Sequence, residues 1–150
     1  MLPQLTTQIP GPRSRLLGEK LGRYESRNIT YVSDEFPIFW DRAEGSNVWD
    51  VDGNCFLDLT SAFAVSSLGH RNPKIIKALS SQANKLLHGM GDVHPTELKV
   101  ELCKKISEIT FERWTGKVGK SILSSSGSES IESALKTAFL ATGKEGIICF

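Results

Sequence analysis

The sequence predicts an α/β fold with a mainly parallel sheet, and three observations support this prediction. Helical and strand-like patterns alternate in the second half of the chain, in the order helix, strand, helix, strand. An apolar segment at 121–123 leads directly into a helical repeat of apolar residues between Ile131 and Phe139. Upstream, Asp52-Gly53 separates two β-rich runs and predicts an antiparallel hairpin.

The first 60 residues divide into an arm and a strand-rich segment. Residues 1–28 contain too few apolar residues for a core of their own, so we expect an extended or loosely helical arm. Strand-like runs follow at 38–40, 47–51 and 55–59, with a turn at 52–54. This segment therefore predicts a small sheet before the helical region begins.

Three helices are predicted after residue 70. The first starts at Asn72-Pro73 and the second at His94-Pro95, because proline is favoured in the first helical turn. The third follows the predicted strand at 121–123, and a further strand starts near Ile147. Since a strand that has just begun needs partners for its backbone groups, we expect the chain to be the front part of a longer protein. The apolar faces of the first and second helices contain Ile76, Leu79, Ala83, Leu86 and Leu87, and Leu98, Leu102, Ile106 and Ile109.

The composition argues against several classes of function. The 18 basic and 17 acidic residues are interspersed and give a net charge of +1, which favours neither nucleic acid nor a membrane surface as a partner. No apolar run approaches the length of a membrane span. Three widely spaced cysteines without a C-x-x-C pair indicate a reduced, cytoplasmic protein. His70, His88, His94 and Asp92 have no standard metal-ligand spacing, so no metal site is predicted.

A serine-rich turn before the third helix is the candidate binding site. Gly127 lets backbone and ligand approach closely, and the first N–H groups of the helix attract anions. Ser126 and Ser128 add hydroxyl donors suited to phosphate oxygens. The alternative is an ordinary helix cap at Ser126 or Ser128, with Glu129 or Glu132 completing a capping box.

The ordered set of motifs resembles the class III aminotransferases of the ornithine/4-aminobutyrate type, which depend on pyridoxal 5'-phosphate (PLP). The resemblance covers roughly residues 36–150. Its motifs are Val48-Trp49-Asp50-Val51-Asp52-Gly53-Asn54-Cys55-Phe56-Leu57-Asp58, Ala64-Val65, Leu68-Gly69-His70, Pro73, Ala78, Gln82, Leu87-His88, Ser126-Gly127-Ser128-Glu129-Ser130-Ile131-Glu132-Ser133-Ala134-Leu135-Lys136 and Ala141-Thr142-Gly143. One departure is Ser128-Glu129-Ser130, where the family more often has Thr-Glu-Ala; the hydroxyl is retained.

The resemblance implies a fold-type I PLP-dependent transferase. Residues 1–28 would form the arm, 29–60 the N-terminal segment of the small domain with its β-hairpin, and 61–150 the start of the large, mainly parallel-sheet domain. Ser126, Gly127 and Ser128 would bind the PLP phosphate, and Phe63 and Ala64 would line the substrate pocket near the partner subunit. The 88–91 turn matches a dimer-contact stretch, and the family forms dimers or dimers of dimers.

The implied reaction moves an amino group from an amino donor to a 2-oxo acid or aldehyde. By the resemblance, the catalytic lysine and the aspartate that pairs with the pyridine nitrogen lie beyond Phe150, so no catalytic residue is predicted and the 150-residue chain alone is not expected to be active. Three alternatives remain open: an aminomutase of the glutamate-1-semialdehyde type, a truncated non-catalytic anion-binding or interaction module, and a structural α/β module whose serine turn only caps a helix.

Overall fold

The computed structural model describes residues 2–149, which fall into two compact units divided between Leu87 and His88. The first unit contains helix α1 (Pro12–Tyr24), strands β1 (Trp40–Glu44), β2 (Asn47–Asp50) and β3 (Cys55–Leu57), and helix α2 (Pro73–Lys85). The second unit contains helices α3 (Glu97–Ile109), α4 (Phe111–Thr115) and α5 (Gly127–Thr142).

The three strands form an antiparallel sheet in the order β1-β2-β3. The hairpin predicted at Asp52-Gly53 is confirmed, since β2 pairs with β3 and Gly53 takes the left-handed conformation that the tight turn requires, with φ 85°. The strand predicted at 38–40 is wrong in extent, because β1 begins at Trp40 and continues to Glu44. Most of β1 is exposed and polar, so hydrophobicity did not reveal it.

A buried polar network occupies the β2–β3 turn. The side chain of Asn54 is fully buried; its amide nitrogen donates to Asp50 Oδ2 at 2.8 Å and to Thr7 Oγ1 at 2.9 Å. Its oxygen accepts from the backbone N–H groups of Thr6 and Thr7, at 2.7 and 2.9 Å. Gln4 and Cys55 exchange backbone hydrogen bonds beside this network. The turn therefore fixes the N-terminal arm to the sheet.

Helix α1 lies within the segment expected to form the arm, and Asp52 holds its first turn. The Asp52 carboxylate accepts from the first-turn N–H groups of Arg13 (2.8 Å) and Ser14 (2.9 Å). It thus does the work of a helix cap, although it lies 39 residues from Arg13 in sequence. Burial raises the pKa of Asp52. Hydrogen bonds from Ser14 and Arg13, together with the Arg13 charge, lower this pKa by more than burial raises it, so the net shift is downward. Gly11 is required here, because a Cβ on it would lie 2.3 Å from the Cγ of Asp52.

Helices α2 and α3 have capped beginnings. The predicted start of α2 is confirmed: Pro73 follows Asn72, whose side chain accepts from Lys74 N at 3.0 Å. Helix α2 ends at Lys85, so Leu86 and Leu87 lie beyond the face predicted for them. Helix α3 begins at Glu97, later than the predicted His94-Pro95, because Thr96 provides the cap.

Buried Ser107 links α3, α4 and the following loop. Its hydroxyl donates to Glu112 Oε1 at 2.6 Å and accepts from Gly119 N at 2.8 Å. Helix α5 shows the predicted repeat, but its apolar side chains Ile131, Leu135 and Phe139 are between 36% and 63% exposed. Within the described residues, the stability of helix α5 therefore depends more on the caps at its two ends than on packing of its apolar side chains.

The strands predicted at 121–123 and after Ile147 are absent from the described part of the chain, where 121–123 and 147–149 have no regular structure. A parallel strand exists only when a neighbour accepts and donates its backbone hydrogen bonds, and these two segments do not pair with each other. Among residues 2–149, no helix combines the length and apolar character needed to cross a membrane.

We expect Asn54→Ala to release the N-terminal arm. The substitution leaves two backbone N–H groups and one Asp50 oxygen without their partner, at about 1–3 kcal/mol for each group that stays buried. Hydrogen exchange of residues 4–24 should accelerate strongly. Asn84→Ala on exposed α2 loses a single exposed hydrogen bond and should change exchange of the arm little. Equal effects of the two substitutions would contradict the role given to Asn54.

Candidate functional site

The serine-rich turn forms a capped helix start. Ser126 has extended backbone, and its hydroxyl accepts from Glu129 N at 3.2 Å. The Ser126 carbonyl accepts from Ser130 N at 3.1 Å, and Glu129 Oε2 accepts from Ser125 N at 2.8 Å. The alternative of a helix cap at Ser126 is therefore confirmed, in a variant capping box in which Glu129 reaches one residue further back. Ser128 is not the cap.

Several hydrogen-bond donors at this helix start remain available. Among residues 2–149, the N–H groups of Gly127 and Ser128 and the hydroxyl of Ser128 have no hydrogen-bond partner. A Cβ built on Gly127 would meet no heavy atom within 4 Å, so the space in front of the helix is open. With the positive end of the dipole of a 16-residue helix, these donors suit an anion.

A cleft of about 480 Å³ adjoins the turn. Of its two carboxylates, Glu132 lies 3.5 Å from the Lys136 ammonium, and Glu129 accepts a hydrogen bond from the neutral Ser125 N–H. Lys136 is 74% exposed. The cleft can bind an anion through neutral donors. It is lined by Leu123, Ser124, Ser125, Ser128, Glu129, Glu132, Ser133 and Lys136.

Phe63 and Ala64 lie in the first unit, on a turn of unusual handedness. Ser61, Ala62, Phe63 and Ala64 all have positive φ, between 49° and 66°. Left-handed backbone costs about 1–2 kcal/mol for each residue that has a Cβ. The Phe63 side chain is 95% exposed. Strain of this kind is typical of functional segments, so this turn is a second candidate site.

Asp58 and His70 flank this turn, and the sequence did not predict their contact. The His70 Nε2–H donates to Asp58 Oδ2 at 2.8 Å, and the two side chains are only 13% and 4% exposed. The hydrogen bond from His70, followed by that of the Thr60 hydroxyl and despite burial, lowers the pKa of Asp58 to about 2. An aspartate two residues before Thr60 is a signal for a local turn, but nothing in the spacing identifies His70 as its partner.

The sequence matches the class-III aminotransferase family over residues 29–150. The chain belongs to this family. It is 41% identical over 120 residues to 4-aminobutyrate aminotransferase GabT of Escherichia coli, a match that covers 79% of this chain and 27% of the relative. The predicted family is therefore confirmed, and the chain spans about a quarter to a third of the length of the curated relatives it matches.

Solved aminotransferases have the same fold as this class III chain. The acetylornithine aminotransferase of Elizabethkingia anophelis is 31% identical, with a TM-score of 0.66 over 83% of this chain and 28% of that one. Taurine:2-oxoglutarate aminotransferase of Bifidobacterium kashiwanohense, in complex with PLP and glutamate, is 22% identical, with a TM-score of 0.70 over 94% of this chain and 29% of that one. This likeness confirms the predicted α/β, fold-type I class, even though the described residues themselves form an antiparallel sheet.

We expect Ser126→Ala and Ser128→Ala to affect α5 of this class III chain differently. Ser126→Ala removes the cap and should lower the free energy of opening of α5 by about 1 kcal/mol. Ser128→Ala removes a hydroxyl that caps nothing and should change this free energy by less than about 0.5 kcal/mol. Hydrogen exchange of the α5 amides without added phosphate or PLP measures both. An equal loss in the two variants would contradict the assignment of Ser126 as the cap.

The Asp58–His70 contact should weaken in acid. Because the pKa of Asp58 is lowered from 3.8 to about 2 in the folded chain, its contribution to stability is complete above pH 4 and is lost as the pH falls towards 2. Hydrogen exchange or proteolysis of segment 58–70 should accelerate in this interval. In Asp58→Asn this acceleration in acid should be missing, because the side chain no longer titrates. An unchanged acid response in that variant would contradict the role of Asp58.

Proposed function

We propose that the complete protein carrying this chain is a PLP-dependent aminotransferase, which moves an amino group from an amino donor to a 2-oxo acid or aldehyde. One observation carries the proposal: three donors without partners, at Gly127 and Ser128, converge at the start of α5 in a chain of this family. The substrates of the relatives, such as 4-aminobutyrate and acetylornithine, indicate the class of amino donor.

The residues at the start of α5 fit the phosphate of PLP. A phosphate group carries two negative charges and several acceptor oxygens, which match two backbone N–H groups, one hydroxyl and a helix dipole. The open space at Gly127 lets the phosphate approach the backbone without meeting a Cβ. The Ser126 hydroxyl caps the helix by accepting from Glu129 N, and its O–H, which this acceptor role does not use, would donate to the phosphate as well.

PLP supplies the electron sink that carbanion chemistry at the amino carbon requires. Gly127 and Ser128 would bind and orient the phosphate end of PLP. The turn containing Phe63 and Ala64 would line the substrate pocket near the partner subunit. The left-handed backbone of residues 61–64 supports this role, because strained backbone of this kind clusters at ligand-binding segments.

The remaining expectations belong to the same proposal. The arm 1–28, the small-domain segment 29–60 and the start of the large domain from 61 would assemble with further chain into a homodimer or a dimer of dimers, with the 88–91 turn at the contact. A cytoplasmic location is supported by Cys55, Cys103 and Cys149, all of which are free thiols.

Binding of PLP by the complete protein tests the cofactor site. Ser128→Ala should weaken PLP binding by about 10–100-fold, the effect of losing one hydrogen bond to a charged group. Ser81→Ala, a matched loss of an exposed hydroxyl on α2, should leave affinity unchanged. Equilibrium dialysis with PLP, followed by visible absorbance, measures both. Equal affinity of wild type and Ser128→Ala would contradict the assignment.

Amino transfer tests the reaction itself. The PLP-loaded protein should convert 4-aminobutyrate or acetylornithine, together with 2-oxoglutarate, into glutamate and the matching aldehyde. Mass spectrometry of both products establishes the stoichiometry of one glutamate for each amino donor consumed. Tight PLP binding with no transfer from any amine, amino acid or ω-amino acid would contradict the aminotransferase proposal and favour the aminomutase alternative.

A further inference from the structure

The left-handed turn at residues 61–64 needs an explanation that its own backbone hydrogen bonds do not give. Ala64 N donates to the Thr60 carbonyl at 3.0 Å, and Ser66 N donates to the Ser61 carbonyl at 2.9 Å. A right-handed turn would form bonds of the same spacing at lower cost, because it avoids the clash between Cβ and carbonyl. Contacts from outside the turn must therefore select the handedness.

The Asp58 carboxylate provides those contacts. Its Oδ1 accepts from the Thr60 N–H at 2.9 Å and from the Thr60 hydroxyl at 2.8 Å. Its Oδ2 accepts from the Ala62 N–H at 2.9 Å and from His70 Nε2–H at 2.8 Å. Two of these four donors are N–H groups at the entrance of the left-handed segment, so the carboxylate fixes where that segment begins.

His70 and Asp58 are in turn fixed to the turn between β1 and β2. His70 and Gly45 exchange two backbone hydrogen bonds, of 2.8 and 3.0 Å, and the His70 ring packs edge-on against Trp40 at 6.0 Å between centroids. Asp58 N donates to the Ser46 carbonyl at 2.9 Å. These contacts leave both side chains little freedom. Asp58 and His70 therefore connect the strained turn to the sheet.

We infer that Asp58 and His70 are positioning residues, which hold the 61–64 turn left-handed and thereby present Phe63 to the substrate. They need touch neither substrate nor cofactor. The presentation to substrate rests on the proposed function, whereas the control of the turn by Asp58 and His70 does not.

Asp58→Asn separates this role from a general contribution to folding. The amide keeps the size of the side chain, but it has one acceptor oxygen, so either the Thr60 donors or the Ala62 and His70 donors lose their partner. Chymotrypsin cleaves after aromatic residues in extended segments. In the complete protein, cleavage after Phe63 should rise about tenfold, because the rate follows the population of the open turn, which we expect to rise by the same factor. Cleavage after Tyr24 and Tyr31 serves as an internal reference. Asp41→Asn, at an exposed position on β1, is the matched control and should leave cleavage unchanged.

Glycine rescue distinguishes handedness from mere packing. Glycine adopts positive φ without a Cβ clash, so Ala62→Gly added to Asp58→Asn should restore most of the protection of Phe63. Ser66→Gly in the same background is the control, because Ser66 does not have positive φ and glycine there adds only flexibility. Rescue by Ala62→Gly alone supports the inference. Equal rescue by both, or by neither, overturns it.

Kinetics of the PLP-loaded complete protein test the substrate part. Asp58→Asn and His70→Gln should raise KM for the amino donor about fivefold or more while kcat changes less than about twofold, as expected when a binding contact is displaced. Asp41→Asn, the exposed control on β1, should leave both parameters unchanged. Parallel loss of kcat and PLP affinity would overturn the positioning role. Absence of amino transfer in the wild type would contradict the proposed function, and the cleavage and rescue experiments would still decide the control of the turn.

Discussion

Burial of a satisfied polar turn holds the first unit together. Within residues 2–149 the buried hydrophobic residues are Val48 and Cys55, whereas Asn54 and Asp50 are buried with all their side-chain polar atoms hydrogen-bonded. A core with so little apolar area cannot define the path of an arm by hydrophobic contact. Directed hydrogen bonds do so instead, and a buried amide without its partners is expensive enough to exclude other arrangements.

Three aspartates extend this principle along the sheet. Asp50 closes the β2–β3 turn, Asp52 caps α1 from a distance, and Asp58 binds the N–H groups that begin the left-handed turn. Each carboxylate accepts hydrogen bonds from backbone N–H groups. The same chemical device therefore fixes the arm at one end of the hairpin and the exposed Phe63 at the other.

Local signals were predictable, whereas contacts between distant residues were not. The Asp-Gly hairpin, the Asn72-Pro73 helix start and the serine-rich cap follow from the chemistry of two to four neighbouring residues. The handedness of 61–64 and the Asp58–His70 contact depend on side chains that meet only after the chain has folded. The periodicity of apolar residues in the sequence therefore does not predict them. The strands predicted at 121–123 and at Ile147 failed for a related reason: an apolar run gives the tendency to form a strand, but a strand also requires a neighbour.

The start of α5 has a consequence for folding as well as for binding. None of the helix's described residues is buried, and its order relies on Ser126 at one end and on Gly143, in left-handed conformation, at the other. A ligand that binds only the ordered helix stabilises it by mass action, by about 2.7 kcal/mol at a concentration one hundred times its dissociation constant. If PLP binds there as proposed, it would help to complete the fold of this segment, and the supply of PLP would influence how much of the protein escapes degradation.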